Sequence, residues 1–146
     1  MRRSYPDHPI VGVGAVIVDG GRALLVRRAS EPLMGEWSVP GGVLELGETL
    51  RDGVRREVFE ETGLVVEPGE VLDIFDSIFT DGDGRTQYHY VLIDYLCRPV
   101  SGKAKAGTDV SEVRWVSEND LGAMGLRESI EQVVRRGLGR FAEITS

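Results

Sequence analysis

The segment Gly42–Leu64, GVLELGETLRDGVRREVFEETGL, constrains this chain more than any other. It gathers Glu57, Glu60 and Glu61 just ahead of Gly63. Thr49 suits a helix N-cap with Asp52 at the third helical position, and Gly63 suits a left-handed C-terminal cap. The spacing therefore predicts a helix from Thr49 to about Thr62. Residues three and four apart share a helix face, which sets Glu57 beside Glu60 and Glu61. Leu50, Val54 and Val58 share part of that arc, so the acids border the core-facing stripe. Three carboxylates there repel one another and lose solvation. Hard divalent cations take oxygen ligands and relieve both costs. The competing reading of Glu57–Glu61, taken alone, is a solvated acidic helix face.

The rest of the chain frames this helix. Ile10–Val18 is rich in β-branched residues and reads as a buried strand. Asp19–Arg22 is a turn and Ala23–Arg28 a second strand. Ala29–Val39 reads as a loop carrying Trp37, and Pro40-Gly41-Gly42 as a break in regular structure. Val65–Thr80 reads as extended, interrupted near Pro68-Gly69. Asp81–Gly84 is a turn, and Thr86–Arg98 is a strand with aromatic and aliphatic residues throughout. Pro99–Asp109 reads as a loop and Glu112–Val116 as a short strand. Ser117–Asp120 looks like a capping-box start to a short helix. Arg127–Arg136 is a second amphipathic helix ended by Gly137, with Arg135 and Arg136 complementing its C-terminal dipole. Strands, one helix, strands and C-terminal helices in that order imply one α+β domain, an α/β/α sandwich around a mixed sheet.

Charge and cysteine content narrow the function. With 17 basic and 24 acidic residues the formal charge is −7, which argues against a generic binder of nucleic-acid backbones. A polyanionic small molecule would need metal ions or a few placed arginines. Arg27 and Arg28, at the end of the second strand, are candidates, because a guanidinium offers paired donors to phosphate; the plainer reading is a surface pair. Trp37 is either packing or a stacking surface for substrate. His89, Tyr88 and Tyr90 read as sheet residues. Cys97 is the single cysteine, which suits a reducing, cytoplasmic setting. No apolar run approaches membrane-spanning length.

Gly42, five residues, Glu48, seven residues, Arg56-Glu57-Val58, one residue, Glu60-Glu61, one residue, Gly63-Leu64 resembles the Nudix box at every defined position. The resemblance implies a Nudix fold over residues 1–146, with its core at about 8–137 and the box as a loop–helix–loop. It implies Mg²⁺- or Mn²⁺-dependent hydrolysis of a nucleoside diphosphate linked to another moiety. Carried over by position, Glu57, Glu60, Glu61 and the carbonyl of Gly41 are metal ligands. Arg56 orients the glutamates, and Glu48 supports the same network. Glu112, ahead of Trp115, resembles a later acid that binds a second metal or serves as general base, though its plainer reading is a solvated residue at a strand's start. The base is thus Glu112 or a box glutamate, with Glu57 and Glu61 the box residues tied most closely to turnover. The resemblance also allows a homodimer.

His8–Val11, Leu25–Arg28, Gly35–Pro40 and Tyr88–Tyr90 look like a small prokaryotic branch labelled ADP-ribose pyrophosphatase. Better-defined ADP-ribose enzymes carry a proline where this chain has Phe79 and Thr80. Dinucleoside polyphosphate hydrolases tend to have a tyrosine at Thr80–Gly82, which is also absent. ADP-ribose or a related ADP-sugar leads narrowly over a MutT-like nucleoside triphosphate or oxidised nucleotide. A non-catalytic nucleotide-sensing domain is the alternative of another class. Such domains usually adjoin a DNA-binding segment and often have a degraded box, whereas this box is intact.

Overall fold

The computed structural model describes residues 2–145, with side chains through Arg140. Seven strands and two α-helices follow in order: β1 (Ile10–Asp19), β2 (Arg22–Arg28), β3 (Trp37–Ser38), β4 (Gly41–Val43), α1 (Leu50–Thr62), β5 (Val65–Thr80), β6 (Thr86–Ser101), β7 (Val110–Ser117) and α2 (Glu128–Thr145). A 3₁₀ turn, Glu118–Met124, precedes α2. The sheet is mixed and runs β3-β2-β1-β6-β5. β1 and β6 are parallel, and the other pairs are antiparallel.

β1 is apolar without alternation because both its faces are covered. Val13, Ala15 and Ile17 face α1 with Leu24, Val54, Val58, Ile93 and Tyr95. Val16 and Val18 face α2 with Leu25, Leu72, Leu96, Val133 and Val134. The sheet between two helices is the α/β/α sandwich expected from the element order.

β2 pairs with β1 only beside their connecting turn, at Val18↔Ala23 and Asp19↔Arg22. Farther along, β4 takes the place beside β1, with Gly12↔Val43, Val13↔Gly42 and Gly14↔Gly41 in register. Pro40 does bend the chain between β3 and β4, but Gly41 and Gly42 do not break it; they form a strand. A Cβ on Gly41 would lie 2.1 Å from the Val13 carbonyl oxygen, so the strands approach this closely only without one. Trp37–Ser38 is likewise a short strand inside the expected loop. β5 is one strand whose register shifts between Pro68 and Asp73, so the interruption near Pro68-Gly69 is a bulge. Pro99 belongs to β6, beyond the last residue paired with β1, Cys97.

Gly137 does not end α2, which continues to Thr145. A Cβ there would meet Val16 Cγ1 at 2.6 Å and Leu72 Cδ1 at 3.1 Å, so this glycine lets the helix settle onto the sheet. Arg135 and Arg136 accordingly do not sit at a helix end. Arg135 pairs with Glu131 at 3.3 Å, and Arg136 donates to the Leu72 carbonyl at 2.5 Å. Gly139, two residues on, faces open space. The two positions should respond with opposite signs. Gly139→Ala gains up to about 1 kcal/mol of helix propensity. Gly137→Ala gains the same propensity but overpacks the core, at a cost of about 1–3 kcal/mol, and should be net destabilising. Urea midpoints of the two variants check this.

Candidate active site

α1 begins as expected: Thr49 accepts from the Asp52 N–H, and Gly63 closes the helix at a φ of 75°. The fixed helix sets Glu57, Glu60 and Glu61 along the wall of one cavity of about 410 Å³. Gly41–Leu46, Arg28 and the segment Thr108–Val110 form the rest of it.

Each acid has a defined holder. Arg56 reaches Glu48 at 2.7 Å, Glu57 at 2.8 Å and Glu60 at 3.3 Å. It also donates to the Val43 carbonyl at 3.0 Å. One guanidinium thereby ties the helix to the loop ahead of it, and its positive form is strongly favoured, chiefly through Glu48. The same bond draws Glu48 below the usual carboxylate range. Glu57 is raised by burial, against the pull of Arg56. Glu61 accepts the Gly41 N–H at 2.8 Å. Burial dominates its titration and pushes it up to about 8, with Glu57 and Asp109 adding repulsion against Gly41 and Arg28.

The ladder also orients Gly41. Ala15 N–H bonds to the Pro40 carbonyl, and Leu44 N–H to that of Val11. Alternation then turns the N–H and C=O of Gly41 away from β1, toward the glutamates. Gly42 matters differently: a Cβ on it would fall 2.4 Å from the Glu57 carboxyl carbon.

The structure brings Gly41, Glu57, Glu60, Glu61 and Arg28 to this cavity, with Arg56 behind the acids. Arg28 itself is braced by its bond to the Pro32 carbonyl. Three other sequence candidates lie elsewhere. Arg27 alternates to the opposite face of β2 and donates to Gly35. Glu112 does not line the cavity; its carboxylate pairs with Arg114 at 2.8 Å on β7. Trp37 lines an adjoining cavity and stacks under the Arg114 guanidinium, 4.9 Å from its ring centre.

Asp109 was hidden in what reads as a loop. N–H groups of Lys105, Gly107 and Thr108 bond to the last carbonyls of α1, those of Thr62, Glu61 and Glu60. Gly107 allows this approach, since a Cβ would lie 2.1 Å from the Glu60 carbonyl oxygen. The segment is thus fastened to the helix end, and Asp109 borders the cavity at a φ of 60°, a conformation Asp tolerates.

The donor set suits a hard cation: carboxylates, one backbone carbonyl, and more negative charge than Arg3, Arg28 and Arg56 offset. Among the described residues no three acidic, imidazole or thiol groups already converge at ligand distance. Glu57 and Glu60 are turned to Arg56, and Glu61 to Gly41.

The adjoining cavity, of about 180 Å³, lies across the sheet on the α2 side. Arg3, Arg28, Val39, Gly41, Gly42 and Val43 border both. At its floor is Asp94, 3% exposed, whose Oδ2 has no hydrogen-bond partner. Burial, reinforced by Asp73, pushes Asp94 up to about 7. A raised carboxyl stabilises the fold fully below its unfolded value, near pH 4, and loses that contribution as pH rises through 7. Asp94→Asn should therefore be more stable than the parent at pH 8, by up to a few kcal/mol. The advantage should vanish near pH 4. Denaturant titrations across that range measure it.

A model of the NUDIX domain family matches residues 8–137. An ADP-ribose pyrophosphatase of Methanocaldococcus jannaschii is 34% identical over 114 residues, 78% of this chain and 65% of that protein. A MutT-like protein of Streptomyces ambofaciens is 35% identical over 118 residues, 81% of this chain and 70% of that one. The match thus spans just under two thirds of the archaeal relative's length and somewhat more of the bacterial one's. Among solved structures, a MutT NUDIX hydrolase from Burkholderia pseudomallei superposes with a TM-score of 0.76 at 30% identity, covering 89% of this chain and 98% of that one.

Proposed function

The chain belongs to the NUDIX domain family, and from that premise we propose that it hydrolyses the diphosphate bond of a nucleoside diphosphate derivative, foremost ADP-ribose or a related ADP-sugar. The products are AMP and a sugar phosphate. One observation carries the reading: Glu57, Glu60 and Glu61 of α1 and Gly41 of β4 line a single cavity, with Arg56 bracing the acids. Glu57, Glu60, Glu61 and the Gly41 carbonyl would hold a divalent cation, Mg²⁺ or Mn²⁺, which supplies charge neutralisation at the diphosphate and a more acidic water.

The chain's own groups do the rest. Arg56 keeps Glu57 and Glu60 from splaying into solvent, and the Gly41 N–H fixes Glu61. Arg28 borders both cavities and presents guanidinium N–H groups to phosphate oxygens. Glu61, pushed up to about 8 by burial, would in its ionised form be a stronger base toward water than an ordinary glutamate; a box glutamate is preferred as base over Glu112, which faces Arg114. Residues 8–137 act as one domain. The relative of Methanocaldococcus bears the name ADP-ribose pyrophosphatase, which supports ADP-ribose. The MutT-like relative supports the second reading, a nucleoside triphosphate.

A turnover assay separates them. The full chain is incubated with ADP-ribose, nucleotide sugars, diadenosine polyphosphates, and normal and oxidised dNTPs, with Mg²⁺, Mn²⁺ or EDTA. We expect metal-dependent release of AMP from ADP-ribose to exceed all others. Preferred cleavage of a triphosphate would replace the substrate, and tight binding without turnover of anything would replace the enzyme by a sensor.

A further inference from the structure

The cavity on the α2 side has a built floor that the diphosphate chemistry does not use. Gly12 and Gly14 of β1 stand beside Leu92 and Asp94 of β6 in register. A Cβ on Gly14 would lie 2.2 Å from Asp94 Oδ1, and one on Gly12 would lie 2.6 Å from Leu92 Cδ2. The two glycines thus open a hollow that the Asp94 carboxyl fills. Trp37, Val39, Phe75, Phe79, Leu92 and Ile130 supply the apolar and aromatic walls.

An unpaired buried carboxyl is costly, and native folds seldom keep one without a partner. Here the nearest acid, Asp73, only repels it and is itself turned to Arg136 at 3.9 Å. Leucine or asparagine in the hollow would cost the fold less. A cavity with aromatic and aliphatic walls and one orphaned acceptor fits an aromatic ligand that carries an N–H. The same cavity shares Arg28, Gly41 and Gly42 with the glutamate site, so one ligand can span both.

We propose that this cavity receives the base of the substrate, and that Asp94 accepts a hydrogen bond from the six-amino group of an adenine-type base. The assignment rests on the nucleotide reading above and deepens it. Hypoxanthine and guanine present a carbonyl oxygen at the same position, which the ionised carboxylate repels. Adenine presents only the donor. Asp94 is thereby a specificity-determining residue, on the opposite side of β1 from the acids that hold the reacting end.

At pH 8, where the Asp94 carboxyl is largely ionised, calorimetry with AMP and IMP tests the idea without turnover, and kcat/KM for ADP-ribose and IDP-ribose tests it with turnover. The parent should favour the adenine compound roughly ten- to hundredfold, the factor set by one buried polar group left unpaired. Asp94→Asn, whose amide keeps one acceptor and adds an N–H that can meet a carbonyl, should narrow that preference. Asp94→Ala should erase it without inversion. Equal binding of AMP and IMP by the parent overturns the proposal, as does an undiminished adenine preference in folded Asp94→Ala. If neither nucleoside diphosphate sugar is cleaved while the AMP preference disappears in Asp94→Ala, the pocket assignment stands and the hydrolase reading falls.

Discussion

Glu61→Gln and Glu57→Gln are each expected to lower turnover roughly a hundredfold or more while leaving the fold intact. The expectation has two separable parts. Gln at 61 still accepts the Gly41 N–H, a bond of 2.8 Å in the parent. It also removes a carboxyl that burial pushes up to about 8, so melting temperature should hold or rise. Gln at 57 weakens the contact with Arg56, yet Arg56 keeps Glu48 at 2.7 Å and Glu60 at 3.3 Å. That loss should stay within about 1 kcal/mol. Steady-state kinetics with saturating Mg²⁺, paired with thermal unfolding, measures both. Mg²⁺ or Mn²⁺ titration by calorimetry should show weaker binding in each variant. Full turnover in both would remove the glutamates from the chemistry.

What the sequence discloses here follows from locality. The box helix is legible because its signals are local: a cap at Thr49, apolar spacing at Leu50, Val54 and Val58, and a left-handed stop at Gly63. β1 is legible because a strand covered on both faces is apolar throughout. The glycines are harder, because one residue type serves opposite purposes. Gly63 ends a helix by taking a positive φ, whereas Gly137 lets a helix continue against Val16. Nothing within a few residues of either distinguishes them; the contact is made across the fold. Gly41 likewise reads as a break until β1 is seen alongside it. Asp109 and Asp94 are illegible in the local sequence for related reasons. Asp109 reaches the site through bonds from its loop to the end of α1. Asp94 left a usable trace, an acid flanked by Leu92, Ile93, Tyr95 and Leu96, and Gly12 and Gly14 left the complementary one. Only the parallel register of β1 with β6 joins the two. Glu112 illustrates the opposite error. It reads as the start of a strand, whereas β7 begins two residues earlier at Val110, and strand alternation and Arg114 direct its carboxylate away from the cavity.

Gly41→Ala and Gly42→Ala, at neighbouring positions of β4, should fail in different ways. The Cβ added at Gly41 would lie 2.1 Å from the Val13 carbonyl oxygen and 2.8 Å from the Gly14 Cα. Both are backbone atoms of the central strand and cannot step aside without breaking the ladder. β4 must lift from β1, which costs about 3 kcal/mol or more and takes the Glu61 anchor with it. The Cβ added at Gly42 meets only the end of the Glu57 side chain, 2.4 Å from its Oε2. A flexible carboxylate swings away at little cost to the fold, but it leaves the place where Arg56 holds it. Gly42→Ala should therefore melt within a few degrees of the parent and turn over as poorly as Glu57→Gln. Gly41→Ala should melt far lower. Unfolding and kinetics measured on the same preparations separate the two effects. A stable Gly41→Ala would mean that β4 does not lie against Val13, and a fully active Gly42→Ala would mean that the carboxylate of Glu57 does its work from some other position.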